Sequence, residues 1–262
     1  MKEFQFINTS QSSHVKTIEL NRPESRNALN AVMVDEIYAA LENASTDDSI
    51  RVIVLRGAGK GFSAGADLAW MSQSTNENQD KPIEQVLSTF FNYLYHFNKP
   101  LISVVHGFAM AGALGIVATS DFVITTEEAL FSFTEVLIGL VPATISPFVV
   151  RRTGEFSARR LMLSGSKING RQAVQEKLAD IVCTEEEIEE ELEKITSVFK
   201  STAPKATTIC KEMIIKVADA EIGPEIMQYN ASLLGEVRNS EEAREGISSF
   251  LEKRKPAWYM ND

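Results

Sequence analysis

Residues 50–55 are apolar apart from Arg51, and a run of small residues follows, Lys60-Gly61-Phe62-Ser63-Ala64-Gly65-Ala66-Asp67-Leu68. A strand with no polar face must be covered on both sides, as strands of parallel sheets are. Parallel neighbours need crossover connections, so this feature commits the chain to alternating strands and helices, an α/β domain rather than a sandwich. The alternation reads as strands at 15–20, 101–105, 122–125 and 130–133, with helices at 86–97 and 112–119. Asn27 is expected to cap a further helix running through Leu41. The polar insertion 72–81 is expected to be mobile. After Asp180-Ile181-Val182 only helices are predicted, over 185–199, 205–218, 224–237 and 241–253, separated by Pro, Gly or Asn/Ser breaks. The division expected is an α/β core over 1–200 and a helical region over 201–262.

Charge and composition exclude several function classes. The formal net charge of −10 repels a phosphate backbone, so no nucleic-acid partner is expected, and an anionic ligand must meet locally placed cations. The two cysteines, Cys183 and Cys210, stand far apart without metal or disulfide spacing. His14, His96 and His106 likewise have no partner spacing, so no metal site is expected. Residues 101–119 are mostly apolar, but Ser103, His106 and the glycines at 107, 112 and 115 interrupt them, which favours a strand feeding a turn over a membrane span. Residues 1–10 lack a basic region followed by an apolar run, so a cytoplasmic protein with no membrane partner is expected. The acidic run 185–193 reads as a solvated helix face.

Three segments carry candidate chemistry. Around 63–68, small residues let a ligand approach the main chain, and a helix starting near Asp67 leaves its first N–H groups pointing outward. The plainer reading is a tight connection in which Asp67 serves as a first-turn acid. His106-Gly107-Phe108-Ala109-Met110-Ala111-Gly112-Ala113-Leu114-Gly115 has the same character after a second buried strand, although its glycines could equally serve close helix packing. Two such turns can offer two N–H donors to one oxygen. In Phe131-Ser132-Phe133-Thr134-Glu135, apolar neighbours would raise the Glu135 carboxyl toward the range useful for proton transfer. A salt-bridge partner is the alternative for that residue.

Together with Asn21-Arg22-Pro23, Ala28-Leu29-Asn30 and Phe250-Leu251-Glu252-Lys253-Arg254, these segments resemble the crotonase superfamily of enoyl-CoA hydratases and isomerases over almost the whole chain. The resemblance implies a spiral of ββα units followed by a helical trimerisation region, assembled as a homotrimer or a dimer of trimers. It implies an acyl-CoA substrate, with coenzyme A entering only as part of the thioester and no separate cofactor. By matching positions, the N–H groups of Ala66 and Gly112 would hold the thioester carbonyl and Glu135 would transfer the proton. Arg26, Ala28, Ala64, Asp67 and Leu68 match positions near the coenzyme, and Phe250 and Lys253 match those reaching it from the C-terminal helices.

One departure matters: typical hydratases carry a second glutamate where this chain has Gly115. Relatives with one glutamate include Δ3,Δ2-enoyl-CoA isomerases, methylglutaconyl-CoA hydratases of leucine breakdown and dehydratases of hydroxymethylglutaryl thioesters in polyketide pathways. A catalytically silent acyl-CoA-binding scaffold is a further alternative. The wording Ala66-Asp67-Leu68-Ala69-Trp70-Met71, Gly139-Leu140-Val141-Pro142-Ala143-Thr144-Ile145-Ser146-Pro147 and Glu252-Lys253-Arg254-Lys255-Pro256-Ala257-Trp258 is most similar to the methylglutaconyl-CoA hydratases. Gly115 is expected to leave room for a branched acyl chain and to remove a charge that would repel its distal carboxylate.

Overall fold

The structure is a computed structural model that describes residues 4–73 and 82–260. It contains strands β1 (Ile7–Ser12), β2 (Val15–Leu20), β3 (Val52–Gly57), β4 (Leu101–Val105), β5 (Phe108–Met110), β6 (Phe122–Thr126), β7 (Leu130–Ser132) and β8 (Ile181–Cys183). Between and after them lie helices α1 (Ala31–Ser45), α2 (Leu68–Gln73), α3 (Ile83–Tyr95), α4 (Ala113–Thr119), α5 (Ser146–Thr153), α6 (Glu155–Ser164), α7 (Gly170–Gln175), α8 (Ile188–Val198), α9 (Pro204–Ala218), α10 (Pro224–Arg238) and α11 (Glu241–Leu251). Of the insertion expected to be mobile, residues 74–81 lie outside the described residues, and Ser72 belongs to α2.

The main sheet has six strands in the order β1-β2-β3-β4-β6-β8, parallel from β2 onward. Its central strands are buried on both faces, β4 at every residue, as their apolar wording requires. The polar strand β1 pairs antiparallel with β2 at the edge, where most of its side chains stay outside the core. A second, narrow layer is built from short pieces: Ser63 bridges Ala109, β5 pairs with β7, and Phe131 bridges Ile168. Each circuit of the chain thus gives one strand to the main sheet, one piece to the narrow layer and then a helix, as in β4, β5 and α4. This is the repeating ββα arrangement of the crotonase fold.

The predicted cap of α1 is corrected. Asn30, not Asn27, accepts a hydrogen bond from Met33 N, and the helix begins at Ala31. Asn27 sits in the left-handed region (φ 54°) and is buried. Its Oδ1 accepts from Arg22 N at 2.9 Å, while Nδ2 donates to the carbonyls of Ala58 (2.8 Å), Gly61 (3.0 Å) and Phe62 (3.2 Å). An asparagine tolerates this conformation, and its amide satisfies carbonyls that a tight loop leaves without ladder partners.

The chain separates into two compact units, Met1–Glu193 and Lys194–Asp262, against an expected division at 200. Within the second, the Glu242 carboxylate accepts from the N–H groups of Lys205 and Ala206 at the start of α9. Arg254 grips Glu245 through two parallel bonds of 2.6 and 2.8 Å, which together with Ala257 N hold that carboxyl down at about 2. No helix among the described residues is long and apolar enough to cross a membrane.

Candidate active site

The first small-residue turn is held in register by main chain. Ala64 N donates to Arg26 O (2.9 Å), Leu29 N to Gly65 O (2.7 Å) and Asp67 N to Leu29 O (2.9 Å), so 26–29 and 64–67 run side by side as a short rail. Ser63 is fully buried; its hydroxyl donates to Asn27 O and accepts from Gly65 N, which explains why a small polar residue stands there. Asp67 divides its carboxylate: Oδ1 accepts from Ala69 N and Trp70 N at the start of α2, and Oδ2 meets Arg22 Nη1 at 3.2 Å. The same guanidinium donates to Ala28 O and lies over the Phe6 ring. Asp67 therefore fixes the turn and the helix start together.

The second turn follows β5. Met110 N donates to Ser63 O and Ala111 N to Ser132 O, which ties it to the first turn on one side and to β7 on the other. Ala111 occupies the left-handed region (φ 49°), a conformation that costs a non-glycine residue about 1 kcal/mol or more. The two turns touch. A side chain on Gly65, itself at φ 93°, would begin 2.6 Å from Met110 O and 2.9 Å from Gly112 N, so only glycine permits this approach. Likewise a Cβ on Gly112 would lie 3.4 Å from Ala66 N. Neither Ala66 N nor Gly112 N donates to any protein acceptor among the described residues, the latter because it caps α4. Two unpaired donors are thus brought within a few ångströms of each other.

Glu135 enters from the short 3₁₀ turn after β7. Burial pushes its carboxyl above the ordinary carboxylate range, offset only in part by its own main-chain N–H. Its Oε2 is buried and has no hydrogen-bond partner among the described residues. The salt-bridge alternative therefore does not describe this residue.

Five of the predicted residues, Ala64, Ala66, Leu68, Gly112 and Glu135, line one cavity of about 480 Å³. The rest of its wall is mostly aliphatic, from α2, α3 and the segment around Leu137–Ala143, with hydroxyls at Thr134 and Thr144. Arg26 and Ala28 lie on the adjoining rail, Arg26 exposed and in the left-handed region. Phe250 is 82% exposed on α11, and Lys253 follows that helix at φ 56°; both belong to the second unit. Sequence reading missed Glu84, which lines the same cavity from the first turn of α3. Among the described residues no cluster of three or more acidic, histidine or cysteine side chains could hold a metal ion.

Gly115 does not open the cavity, which corrects the expectation placed on it. It is buried inside α4, and a Cβ there would meet Ile145 Cγ2 and Phe91 Cε1 at 2.5 Å. Two apolar side chains already occupy the space that a glutamate would enter.

The sequence model of the enoyl-CoA hydratase/isomerase family matches residues 10–261. The 2,3-dehydroadipyl-CoA hydratase of Escherichia coli (strain K12) is 31% identical over 94% of this chain and 96% of that protein. A crystal structure of an enoyl-CoA hydratase from Shewanella pealeana superposes with a TM-score of 0.92 at 30% identity, covering 98% of this chain and 97% of that one. Pseudomonas aeruginosa AtuE gives the same score and identity, covering 98% of this chain and 100% of the other.

Proposed function

We propose that this chain, which belongs to the enoyl-CoA hydratase/isomerase family, adds water reversibly across the C2–C3 double bond of 3-methylglutaconyl-CoA to give 3-hydroxy-3-methylglutaryl-CoA. The observation that carries this reading is the meeting, in one cavity, of two unpaired main-chain donors and a half-buried carboxyl. The thioester oxygen accepts from Ala66 N–H and Gly112 N–H. Negative charge then collects on that oxygen as water bonds to C3, where preorganised donors are worth about 3 kcal/mol each. Glu135, kept protonated more readily than an ordinary glutamate by its burial, delivers the proton to C2.

Around this centre, Arg26, Ala28, Ala64 and Leu68 take the coenzyme portion along the rail. Asp67 acts by holding the turn. The choice of acyl chain rests on the local wording at 66–71, 139–147 and 252–258 and on the Escherichia coli relative, whose name specifies an enoyl chain with a second carboxylate. The catalytic unit is a homotrimer, alone or paired.

A second reading, a Δ3,Δ2-enoyl-CoA isomerase, draws on the depth of a single carboxyl, since moving a double bond needs one proton shuttle and no water. Steady-state turnover of 3-methylglutaconyl-, crotonyl- and 3-hexenoyl-CoA separates the two. The hydratase takes up solvent oxygen and prefers the first substrate, whereas conversion of the 3-enoyl ester without oxygen uptake supports the isomerase. Glu135→Gln is expected to lower turnover by about 10²–10⁴-fold while CoA-ester binding stays nearly intact; full activity in that variant refutes the assignment.

A further inference from the structure

Hydration moves two protons: one leaves the attacking water near C3 and one arrives at C2. Glu135 lies among apolar walls with one oxygen sealed from solvent, which suits delivery to C2 but leaves the water without a base. The same cavity is lined by one other carboxylate, Glu84, among the described residues. It stands on the first turn of α3, between Ile83 and Leu87 in the cavity wall, and both of these neighbours are buried and so anchor the helix. Unlike Glu135 it is exposed, so it is open to solvent water.

The packing of α3 gives this position its meaning. Phe91, two turns further along the same face, fills the space in which a side chain at residue 115 would start. The helix that blocks one route for a carboxylate therefore presents another by way of Glu84.

We propose that Glu84 is the second catalytic carboxylate, the base that activates water for attack at C3. The inference rests on the hydratase reading given above. The Glu84 carboxylate takes one proton from water as the water oxygen bonds to C3. The π-electron pair moves toward the thioester oxygen held by Ala66 N–H and Gly112 N–H, and returns to C2 to bond the proton that Glu135 releases. One water is consumed, one hydrogen and one hydroxyl are added, and solvent carries the proton from Glu84 back to Glu135.

The test uses the full-length protein with two readouts: hydration of 3-methylglutaconyl-CoA, and exchange of the C2 protons of the saturated ester butyryl-CoA into heavy water. The exchange requires Glu135 and the two donors but no water base. Glu84→Gln is expected to lower hydration kcat by about 100-fold or more, to leave KM within about threefold, and to retain the exchange. Glu135→Gln is expected to lose both. Because Glu84 is exposed, its glutamine variant should fold, and equal exchange rates confirm that the site is intact. Hydration by Glu84→Gln at the wild-type rate, or joint loss of hydration and exchange, overturns the proposal for Glu84. A wild-type protein that exchanges but never hydrates instead overturns the hydratase reading, and the water base falls with it.

Discussion

A side chain at residue 115 would begin inside the van der Waals envelopes of Phe91 and Ile145. Gly115→Ala should therefore cost about 1–3 kcal/mol through overpacking, read as a lower unfolding midpoint, and adding Phe91→Leu should recover part of it. Any loss of turnover in Gly115→Ala should be similar for methylglutaconyl- and crotonyl-CoA, since the change occurs outside the cavity. Glu135 makes the opposite kind of demand. Its carboxyl binds a proton more tightly in the folded chain than in the unfolded one, so this residue opposes folding increasingly as pH rises from a carboxyl's ordinary 4.5 through the raised value. Glu135→Gln should accordingly be more stable than the wild type at pH 8, and the difference should shrink as the pH falls below 4.5. Urea unfolding at the two pH values checks this, and a constant difference would contradict it. That Glu135 is partly withdrawn from solvent was legible from Phe131 and Phe133 beside it. Glu84 gave no such signal, because a glutamate in a first helical turn is ordinary until tertiary packing places it in a cavity wall.

Between elements, the decisive contact is the approach of the turn after β3 to the turn after β5. Gly65→Ala should push Met110 O and Gly112 N away and misalign one donor, lowering kcat by about 10²–10³-fold with a smaller effect on KM. A wild-type kcat would mean that the two turns need not touch. The buried strands were readable because both of their faces are apolar, and β4 falls at its predicted limits. The edge strand β1 was not, since its polar residues satisfy one sheet neighbour and solvent alike. Asn27 was misassigned for a related reason. Asparagine suits both a helix cap and a left-handed turn, and only the backbone decides that Asn30 takes the first role and Asn27 the second. Helices α5–α7, of only six to ten residues, were too short to carry enough periodicity to be assigned from wording alone.

For the whole molecule, the main sheet and its narrow second layer form a frame on which loops, not strands, carry the chemistry. The second unit exposes Leu234, Ile247 and Phe250 on its helices. If these meet other copies in the proposed trimer, mass photometry of the purified chain should give three or six times 29.0 kDa, and a monomer at micromolar concentration would contradict that assembly. The central claim is narrower than assembly or acyl-chain choice: two backbone N–H groups polarise one thioester carbonyl. An isotope-edited vibrational spectrum of a carbonyl-labelled enoyl-CoA bound to Glu135→Gln tests it without turnover. The carbonyl stretch should fall in frequency on binding, and much of that shift should vanish when Gly65→Ala is added. A stretch unchanged from that of the free ester would contradict the account.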